Sequence, residues 1–316
     1  MGRIGRLIAV LGACLPLSAC GGSEATGGAG GAGTTASTGA GNAATTTTGT
    51  GTATTDAGGC ALADDTTPTS VTSPSGCHVE TRDTSACAAQ RTAQGLSGFW
   101  LELSCRVSLS KTTQNGAEVV MAAADGQPDY KSEYFAMTSA CYEDEPASVH
   151  NPNTLEPQTY VVTFPLAPDD NAQKMTGAVV GLALNGVPIF GNFAAPGDDI
   201  YQEAMTFDTC GGHPQGTGAY HYHAEPYSIS YDDDHFIGVM RDGYPVYGRL
   251  DPGGAAPTLD AYGGHTGVTA DSPTTPVYHY HVNQQTSTAA GTAGQKQWFL
   301  TTGSYRGTPG GCGSCN

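Results

Sequence analysis

The stretch Gly181-Leu-Ala-Leu-Asn-Gly-Val-Pro-Ile-Phe-Gly191 returns 57 residues later as Gly238-Val-Met-Arg-Asp-Gly-Tyr-Pro-Val-Tyr-Gly248. Each copy is an apolar run, an Asn-Gly or Asp-Gly pair and a second apolar run, which predicts a β-hairpin. A proline follows each turn, and because proline lacks a backbone N–H, we expect each second strand at a sheet edge. The matched hairpins predict a duplicated fold with pseudo-twofold symmetry.

Two further motifs follow each hairpin in the same order. Gly-Gly-His ends at His213 and again at His265, and Tyr-His-Tyr-His occupies 220–223 and 278–281. Residues two apart on a strand point to the same face, so each motif places two histidines on one face and two tyrosines on the other. The Gly-Gly turn can bring in a third ring. The candidate ligands are His213, His221 and His223 in one repeat and His265, His279 and His281 in the other.

Imidazole suits copper and zinc, and three histidines leave a fourth position for water or substrate. Each triplet could hold its own ion, or the two could pool their histidines in one cleft; the duplication favours the shared cleft. Polar neighbours are predicted to support the ligands or contact a substrate. They are Tyr220, Tyr222, Tyr278, Tyr280, Asp208 and Asp260, with Asp232, Asp233 and Asp234 in the same supporting role.

Three functions fit these motifs. The first is metal binding, for handling or sensing. The second is a metal-dependent hydrolase or oxidoreductase, in which a metal-bound water is the nucleophile at neutral pH and Tyr220 or Tyr278 polarises a substrate. The third is a structural or adhesive surface module whose histidines form a hydrogen-bonded polar core. His78, His150 and His235 lie outside the pattern and are interpreted as ordinary polar contacts, and Trp100 and Trp298 as core residues.

Composition and strand patterns favour an all-β fold with few short helices. The chain has 316 residues with 45 Gly and 19 Pro, the two worst helix formers. Apolar residues alternate from Leu101 to Leu109, and Tyr160 to Phe164 forms a second apolar run before Pro165. We therefore predict an antiparallel sandwich- or barrel-like domain built on the duplicated hairpins.

Eight cysteines lie from Cys60 to Cys315 and are expected to brace this domain. An even number in an exported chain indicates up to four disulfides, whose connectivity the sequence leaves open. Cys312-Gly-Ser-Cys315 favours a structural bridge over a redox pair or a zinc site, because no helix pattern follows it. The eight are Cys60, Cys77, Cys87, Cys105, Cys141, Cys210, Cys312 and Cys315.

The first twenty residues predict an export signal. Arg3 and Arg6 precede a short apolar run, which ends in Leu17-Ser18-Ala19-Cys20. This ending resembles a bacterial lipobox, in which Cys20 would be acylated, and Gly21 after it resembles lipoproteins sent to the outer membrane. Residues 21–59 are almost entirely Gly, Ala, Thr and Ser and predict a disordered tether. The predicted segments are a signal peptide at 1–20, a linker at 21–59, a cysteine-containing segment at 60–94 and the main domain at 95–316.

The charge balance bears on partners. Twelve Lys and Arg against 29 Asp and Glu give a formal net charge of −17, which disfavours nucleic acid because phosphates would be repelled. No apolar run reaches the length of a transmembrane helix. The expected partners are the membrane, through the lipid on the periplasmic face or cell surface, and a metal or small-molecule ligand.

The paired Tyr-His-Tyr-His motifs resemble the YHYH domain family of exported proteins. The Asp242–Gly248 stretch and the upstream Asn151-Pro152-Asn153 also fit that family. The resemblance covers about residues 95–310 and implies an exported YHYH domain. It implies no particular reaction, so the metal assignment rests on the histidines themselves.

Overall fold

The computed structural model describes residues 66–145, 149–313 and 315. They are mostly β-strand, as predicted. None of their helices is long and apolar enough to cross a membrane. The helices are α1 (Ser85–Ala93) and α2 (Ile200–Glu203), with 3-10 turns at Gly98–Leu101 and Ala204–Thr206. The strands are β1 (Thr66–Thr72), β2 (His78–Arg82), β3 (Ser108–Gln114), β4 (Ala117–Ala124), β5 (Tyr160–Pro165), β6 (Gln173–Lys174), β7 (Val179–Ala183), β8 (Pro188–Phe190), β9 (Gly212–Pro214), β10 (Tyr220–Tyr222), β11 (Phe236–Met240), β12 (Pro245–Tyr247), β13 (Gly264–Gly267), β14 (Val277–His281), β15 (Asn283–Thr286), β16 (Lys296–Phe299), β17 (Ser304–Tyr305) and β18 (Cys312–Gly313).

An eight-stranded sheet carries the duplication. Its strand order is β13-β14-β12-β11-β7-β8-β10-β9. The first strands of the two hairpins, β7 and β11, pair antiparallel at the centre. Outward from this pair, each half adds its hairpin partner, its Tyr-His-Tyr-His strand and its Gly-Gly-His strand in the same order. The pseudo-twofold duplication is thereby confirmed.

The two hairpin turns have the same backbone geometry. In the first, the amide of Ala183 donates to the carbonyl of Val187 (2.8 Å), and in the second the amide of Met240 donates to that of Tyr244 (2.9 Å). Each turn closes through a glycine in the left-handed region, Gly186 at φ +90° and Gly243 at φ +89°. This is a three-residue hairpin loop, in which glycine takes the left-handed position at no steric cost.

The prediction that the proline-containing strands lie at sheet edges was wrong. β8 lies between β7 and β10, and β12 lies between β11 and β14. Pro188 and Pro245 are the first residues of their strands, where a missing N–H interrupts little of the ladder. Both strands then pair in parallel with the next one out, so the sheet is mixed rather than purely antiparallel. The described strands close no barrel, since β9 and β13 are the free edges.

The strand predicted from Leu101 to Leu109 was wrong over most of its length. Leu101 ends a 3-10 turn, and β3 begins at Ser108. The buried guanidinium of Arg91 donates to the carbonyls of Leu103, Ser104 and Val107, which a strand would have used in its ladder. Leu103 and Val107 are still buried, but beside an arginine instead of in a sheet. The predicted strand at Tyr160–Phe164 is confirmed as β5.

A second sheet of four strands, in the order β18-β5-β4-β3, shares one hydrophobic core with the large sheet. Val162 and Phe164 of β5 lie in the same cluster of buried side chains as Leu182 of β7 and Val239 of β11. Disulfides link Cys77 to Cys210, Cys87 to Cys105 and Cys312 to Cys315, and Cys141 is also disulfide-bonded. The predicted disulfide bracing is confirmed for these three pairs.

The predicted signal peptide and linker lie outside the described residues, as do Cys20 and Cys60. The 60–94 segment is described from residue 66. It is joined to the main domain by the Cys77–Cys210 disulfide and by a buried ion pair between Arg82 and Asp129. The boundary at residue 94 stays a prediction.

Candidate metal centres

The two outer strand pairs of the large sheet bring the histidines together. On β9 and β10, His213 lies directly opposite His221, and on β13 and β14 His265 lies opposite His279. The third ring of each triplet, His223 or His281, is two residues along and on the same face, as the period-two argument predicts. The sheet register thus assembles both triplets from a cross-strand pair and its neighbour.

In the first centre, defined by His213, His221 and His223, the Nε2 atoms converge. His221 Nε2 is 3.1 Å from that of His213 and 3.0 Å from that of His223. Two nitrogens bound to one ion at about 2.0–2.1 Å would be roughly 3.0 Å apart at a right angle and roughly 3.3 Å apart in a tetrahedron. The observed Nε2–Nε2 distances of 3.0 and 3.1 Å fall within this range.

The second centre adds a carboxylate to its three histidines. The Nε2 of His265 is 3.1 Å from that of His279 and 3.2 Å from that of His281. Asp251 Oδ1 lies 3.0, 3.6 and 3.4 Å from the Nε2 atoms of His265, His279 and His281 respectively. This centre therefore presents four candidate ligand atoms.

The expectation of one shared cleft was wrong. Each triplet forms its own group of potential ligands. β10 and β14 are five strand positions apart in the sheet, a separation of about 24 Å. The hairpins meet at the pseudo-twofold axis, so the motifs that follow them are carried to opposite ends of the sheet.

Hydrogen bonds fix which nitrogen is free in five of the six rings. His221 Nδ1 bonds the carbonyl of Ala219 (2.9 Å) and His223 Nδ1 that of Gly191 (2.5 Å). His279 and His281 make the equivalent bonds to Val277 (2.9 Å) and Gly248 (2.7 Å). A carbonyl oxygen can only accept, so Nδ1 carries the proton in all four rings and Nε2 carries a lone pair.

His213 reaches the same state through a side chain. The Thr206 hydroxyl donates to the carbonyl of Glu203 (2.8 Å), so it accepts from His213 Nδ1 at 2.7 Å. All three Nε2 lone pairs of the first centre therefore point at one another. Neutral rings in this arrangement cannot hydrogen-bond to each other through Nε2, because none of those atoms carries a proton.

Burial keeps the rings neutral. Loss of hydration lowers the pKa of His213 to about 3 and that of His223 to about 4, and it lowers the pKa of His221 well below its ordinary value. In the second centre burial lowers the pKa of His281 to about 4 and also lowers that of His279. Neutral imidazole is the form that binds a metal ion.

The four motif tyrosines lie on the other face of the strands, where two of the predicted supporting aspartates, Asp208 and Asp260, contact Tyr220 and Tyr278. Asp208 accepts from the amide of Gly212 (3.2 Å) and from the Tyr220 hydroxyl (2.5 Å), and Asp260 likewise binds the amide of Gly264 (3.2 Å) and the hydroxyl of Tyr278 (3.1 Å). These contacts hold the Gly-Gly-His loops in place, so the two aspartates act on the histidines through the backbone.

The other two tyrosines brace the hairpin turns. The Tyr222 hydroxyl accepts from Asn185 (3.1 Å), and the Tyr280 hydroxyl donates to Asp242 (2.5 Å). Of the three neighbouring aspartates, Asp233 bonds Ser230 and His235, and Asp232 faces Arg249. The structure thus brings the six histidines into two centres and keeps the tyrosines apart from them.

Two carboxylates near the centres were missed by the sequence argument. Asp251 completes the second centre, and Glu203 Oε2 lies 3.8 Å from His223 Nε2 in the first. Asp251 stands three residues after the glycine that ends its hairpin, but the matching residue of the first repeat is Ala194, so the duplication gave no signal for it. Glu203 lies on α2, in a segment with no duplicated partner sequence, and carried no such signal.

A cavity of about 720 Å³ opens at the first centre. Apolar and aromatic side chains form much of its wall, and Phe190 stacks on His221 with ring centroids 3.8 Å apart. Residues bordering it include Asn151, Asn153, Phe193, Ala194, Asp198 and Glu203.

The remaining histidines and tryptophans fall outside both triplets. His150 contacts Glu133 Oε2 at 3.0 Å at the edge of the cavity, His235 pairs with Asp233 at 2.7 Å, and His78 bonds Thr72. Trp100 is buried in the core, while Trp298 lies half-buried under the Arg249 guanidinium, 4.2 Å from its ring centroid.

Comparison with known families supports the resemblance over part of the chain. Residues 161–253 match the model of the YHYH protein family. The match includes both hairpins, the first centre and Asp251, and it ends before the second Tyr-His-Tyr-His. No curated protein and no solved structure matches the chain.

Proposed function

Since residues 161–253 are a YHYH protein segment, we propose that the chain is an exported YHYH protein that binds two transition-metal ions, copper or zinc, one at each histidine centre. The convergence of unprotonated Nε2 atoms carries this proposal. In the first centre, lone pairs 3.0–3.1 Å apart would repel one another, and a cation between them would turn that repulsion into coordination.

The ligand chemistry selects the class of ion. Neutral imidazole suits zinc, copper and nickel better than magnesium or calcium, which take oxygen ligands. The described cysteines are in disulfides, so no thiolate competes for the metal in that part of the chain. Abundance at the site of export would then decide between copper and zinc.

The same geometry argues against a purely structural polar core. In such a core each buried imidazole would donate or accept through both nitrogens. Here the backbone and Thr206 occupy Nδ1. In the first centre His221 Nε2 lies 3.0–3.1 Å from the other two Nε2 atoms, closer than the 3.8 Å between His223 Nε2 and the Glu203 carboxylate. A structural module would gain nothing from this arrangement unless a cation were bound.

Metal stoichiometry of the full chain tests the proposal. Wild-type protein equilibrated with zinc or copper and then desalted is expected to hold two ions, measured by inductively coupled plasma mass spectrometry. His221→Ala and His279→Ala should each hold one ion, and the double variant none. His150→Ala, which alters a histidine outside both triplets, should still hold two.

Folding must be checked in each variant by near-ultraviolet circular dichroism. Folded wild-type protein that retains no ion after desalting would refute metal binding. Loss of both ions from either single variant would refute two independent centres.

Metal-dependent catalysis is a second candidate, and the cavity at the first centre favours it. A ligand position open to a cavity of about 720 Å³ is typical of catalytic zinc sites, whereas structural sites are closed by protein ligands. An ion held by the three histidines would act as a Lewis acid, and Glu203, 3.8 Å from His223 Nε2, could accept a proton from a water or substrate beside it. Hydrolysis or oxidation that disappears in His221→Ala but persists in His279→Ala would support this reading.

Lipid anchoring in the outer membrane is the proposed location. The support is the Leu17-Ser18-Ala19-Cys20 sequence behind a short apolar run, with Gly21 next to it. Two or three acyl chains would give stable attachment. Incorporation of labelled palmitate that is lost in Cys20→Ser tests the modification, and membrane fractionation of the same two proteins tests the location.

A further inference from the structure

Resting on the proposed function, we infer that the two centres have diverged. The second is closed by Asp251 as its fourth ligand, and the first is open and takes a neutral small molecule with a nitrogen or oxygen donor and an apolar body. The duplicated sequence makes the difference visible at a single position.

The repeat alignment places an alanine where the second centre has its aspartate. The 57-residue offset that relates Gly191 to Gly248 relates Ala194 to Asp251. The two glycines are equivalent in the structure as well, since their carbonyls accept from His223 Nδ1 and His281 Nδ1. Ala194 offers no ligand atom and instead lines the cavity.

Asp251 is placed to close its centre. Its Oδ1 atom lies within 3.0–3.6 Å of all three Nε2 atoms. Three histidines and a carboxylate complete a tetrahedral set, which is the pattern of closed sites. An ion there would have no vacant position for a further ligand.

Glu203 does not take the same place in the first centre. Its carboxylate approaches His223 Nε2 at 3.8 Å, and it falls outside the group of atoms that could share one ion with the three histidines. From α2 it borders the cavity, where it can accept a hydrogen bond from a ligand that is itself bound to the metal.

The cavity wall selects the ligand. Phe190, Phe193 and Pro196 present apolar surface, while Asn151 and Asn153 provide amides. Asp198 and Glu203 contribute carboxylates, and none of the lining residues is a lysine or arginine. Anions would meet two carboxylates without a compensating cation other than the metal, so a neutral ligand with an apolar body fits best.

Cobalt(II) spectroscopy of the full chain separates the two centres. His279→Ala leaves the first centre and His221→Ala leaves the second, and each is loaded with Co²⁺ as a visible probe. Imidazole is expected to shift the cobalt bands of the first centre at millimolar concentration and to leave the second unchanged. 4-Phenylimidazole should bind the first centre about tenfold more tightly than imidazole, because its phenyl ring buries apolar area in the cavity.

Exchanging alanine and aspartate at positions 194 and 251 should exchange the response of the two centres to imidazole. Ala194→Asp in the His279→Ala background is expected to weaken imidazole binding at least tenfold, and Asp251→Ala in the His221→Ala background should create an imidazole response. Glu203→Gln should leave the cobalt spectrum without imidazole unchanged; a change would identify Glu203 as a ligand and overturn the open site.

The outcomes distinguish the two proposals. Absence of cobalt bands in both folded variants would overturn the proposed metal binding itself. Cobalt bound at both centres with the same imidazole response, or with none at the first, would leave metal binding intact and overturn the inferred divergence.

Discussion

Backbone carbonyls hold most of the imidazoles, so the sheet itself sets their orientation. His221 and His279 bond the carbonyl two residues earlier in the chain, and His223 and His281 bond the carbonyl of the glycine that ends the hairpin. These acceptors cannot be altered by a side-chain substitution. His213 differs, because its Nδ1 partner is the hydroxyl of Thr206. Substitution of Thr206 can therefore change the protonation of a single ligand, His213, without altering the backbone.

We expect Thr206→Val to weaken metal binding at the first centre by about 10- to 100-fold and to leave the second unchanged. Without the hydroxyl, the proton of His213 is free to move to Nε2, where it blocks coordination. Chelator competition with the two-centre protein measures both affinities at once, so the second centre is an internal control. Thr206→Ser keeps the hydroxyl and should restore the affinity; equal weakening by both substitutions would contradict this explanation.

The repeated elements explain which parts of the fold the sequence could predict. Turn glycines and period-two histidines act locally, so the hairpins and the shared face of His221 and His223 followed from spacing alone. Sheet order depends on contacts between residues distant in sequence. It places the two histidine triplets at opposite ends of the large sheet, whereas the sequence had favoured one shared cleft. Arg91 had the same kind of effect, because a side chain from α1 captured the carbonyls of the predicted strand before β3.

Alanine substitutions at three glycines with nearly equal φ should distinguish the cost of left-handed backbone strain from the cost of steric overlap by the new Cβ. Gly253 (φ +91°) has open space where a Cβ would lie, so Gly253→Ala should cost about 1 kcal/mol of unfolding free energy. Gly186→Ala would place its Cβ 3.1–3.2 Å from Ala124 and Val107 and should cost more. Gly243→Ala would overlap the Pro165 carbonyl and should cost about 3 kcal/mol or more.

Denaturant unfolding of the three alanine variants, in the presence of a chelator, checks this order. The Gly253 variant is the control for left-handed backbone strain alone. Equal destabilisation of all three would show that crowding at the hairpin turns contributes nothing, and that the glycines are required for their φ angles only.

At the scale of the whole molecule, the large sheet is symmetric but its surroundings are not. The first centre lies beside α2 and beneath a cavity, and its Gly-Gly-His loop is bound by a disulfide to the segment before α1. The second centre has a tyrosine, Tyr262, at the position equivalent to Cys210. The symmetric sheet therefore supplies two similar ligand sets, and the asymmetric covering gives them different access to solvent and ligand.

Removal of the Cys77–Cys210 disulfide should affect both stability and metal binding, whereas removal of the Cys87–Cys105 disulfide should affect stability alone. The Cys77–Cys210 bond spans 133 residues and the Cys87–Cys105 bond spans 18. Because the entropy of the unfolded chain falls more when a longer loop is closed, Cys77→Ala/Cys210→Ala should cost about 5 kcal/mol and Cys87→Ala/Cys105→Ala about 3 kcal/mol.

Cys210 also lies in the loop from Asp208 to His213, where Asp208 binds the amides of Cys210 and Gly212. Loss of the longer disulfide should therefore weaken metal binding at the first centre as well, while loss of the shorter one leaves both centres unchanged. Denaturant unfolding with chelator gives the free energies, and chelator competition on the folded variants gives the affinities. A larger cost for the shorter loop would contradict the argument from loop length. An equal loss of affinity at both centres would show that the bond between Cys77 and Cys210 has no specific role in holding the first centre.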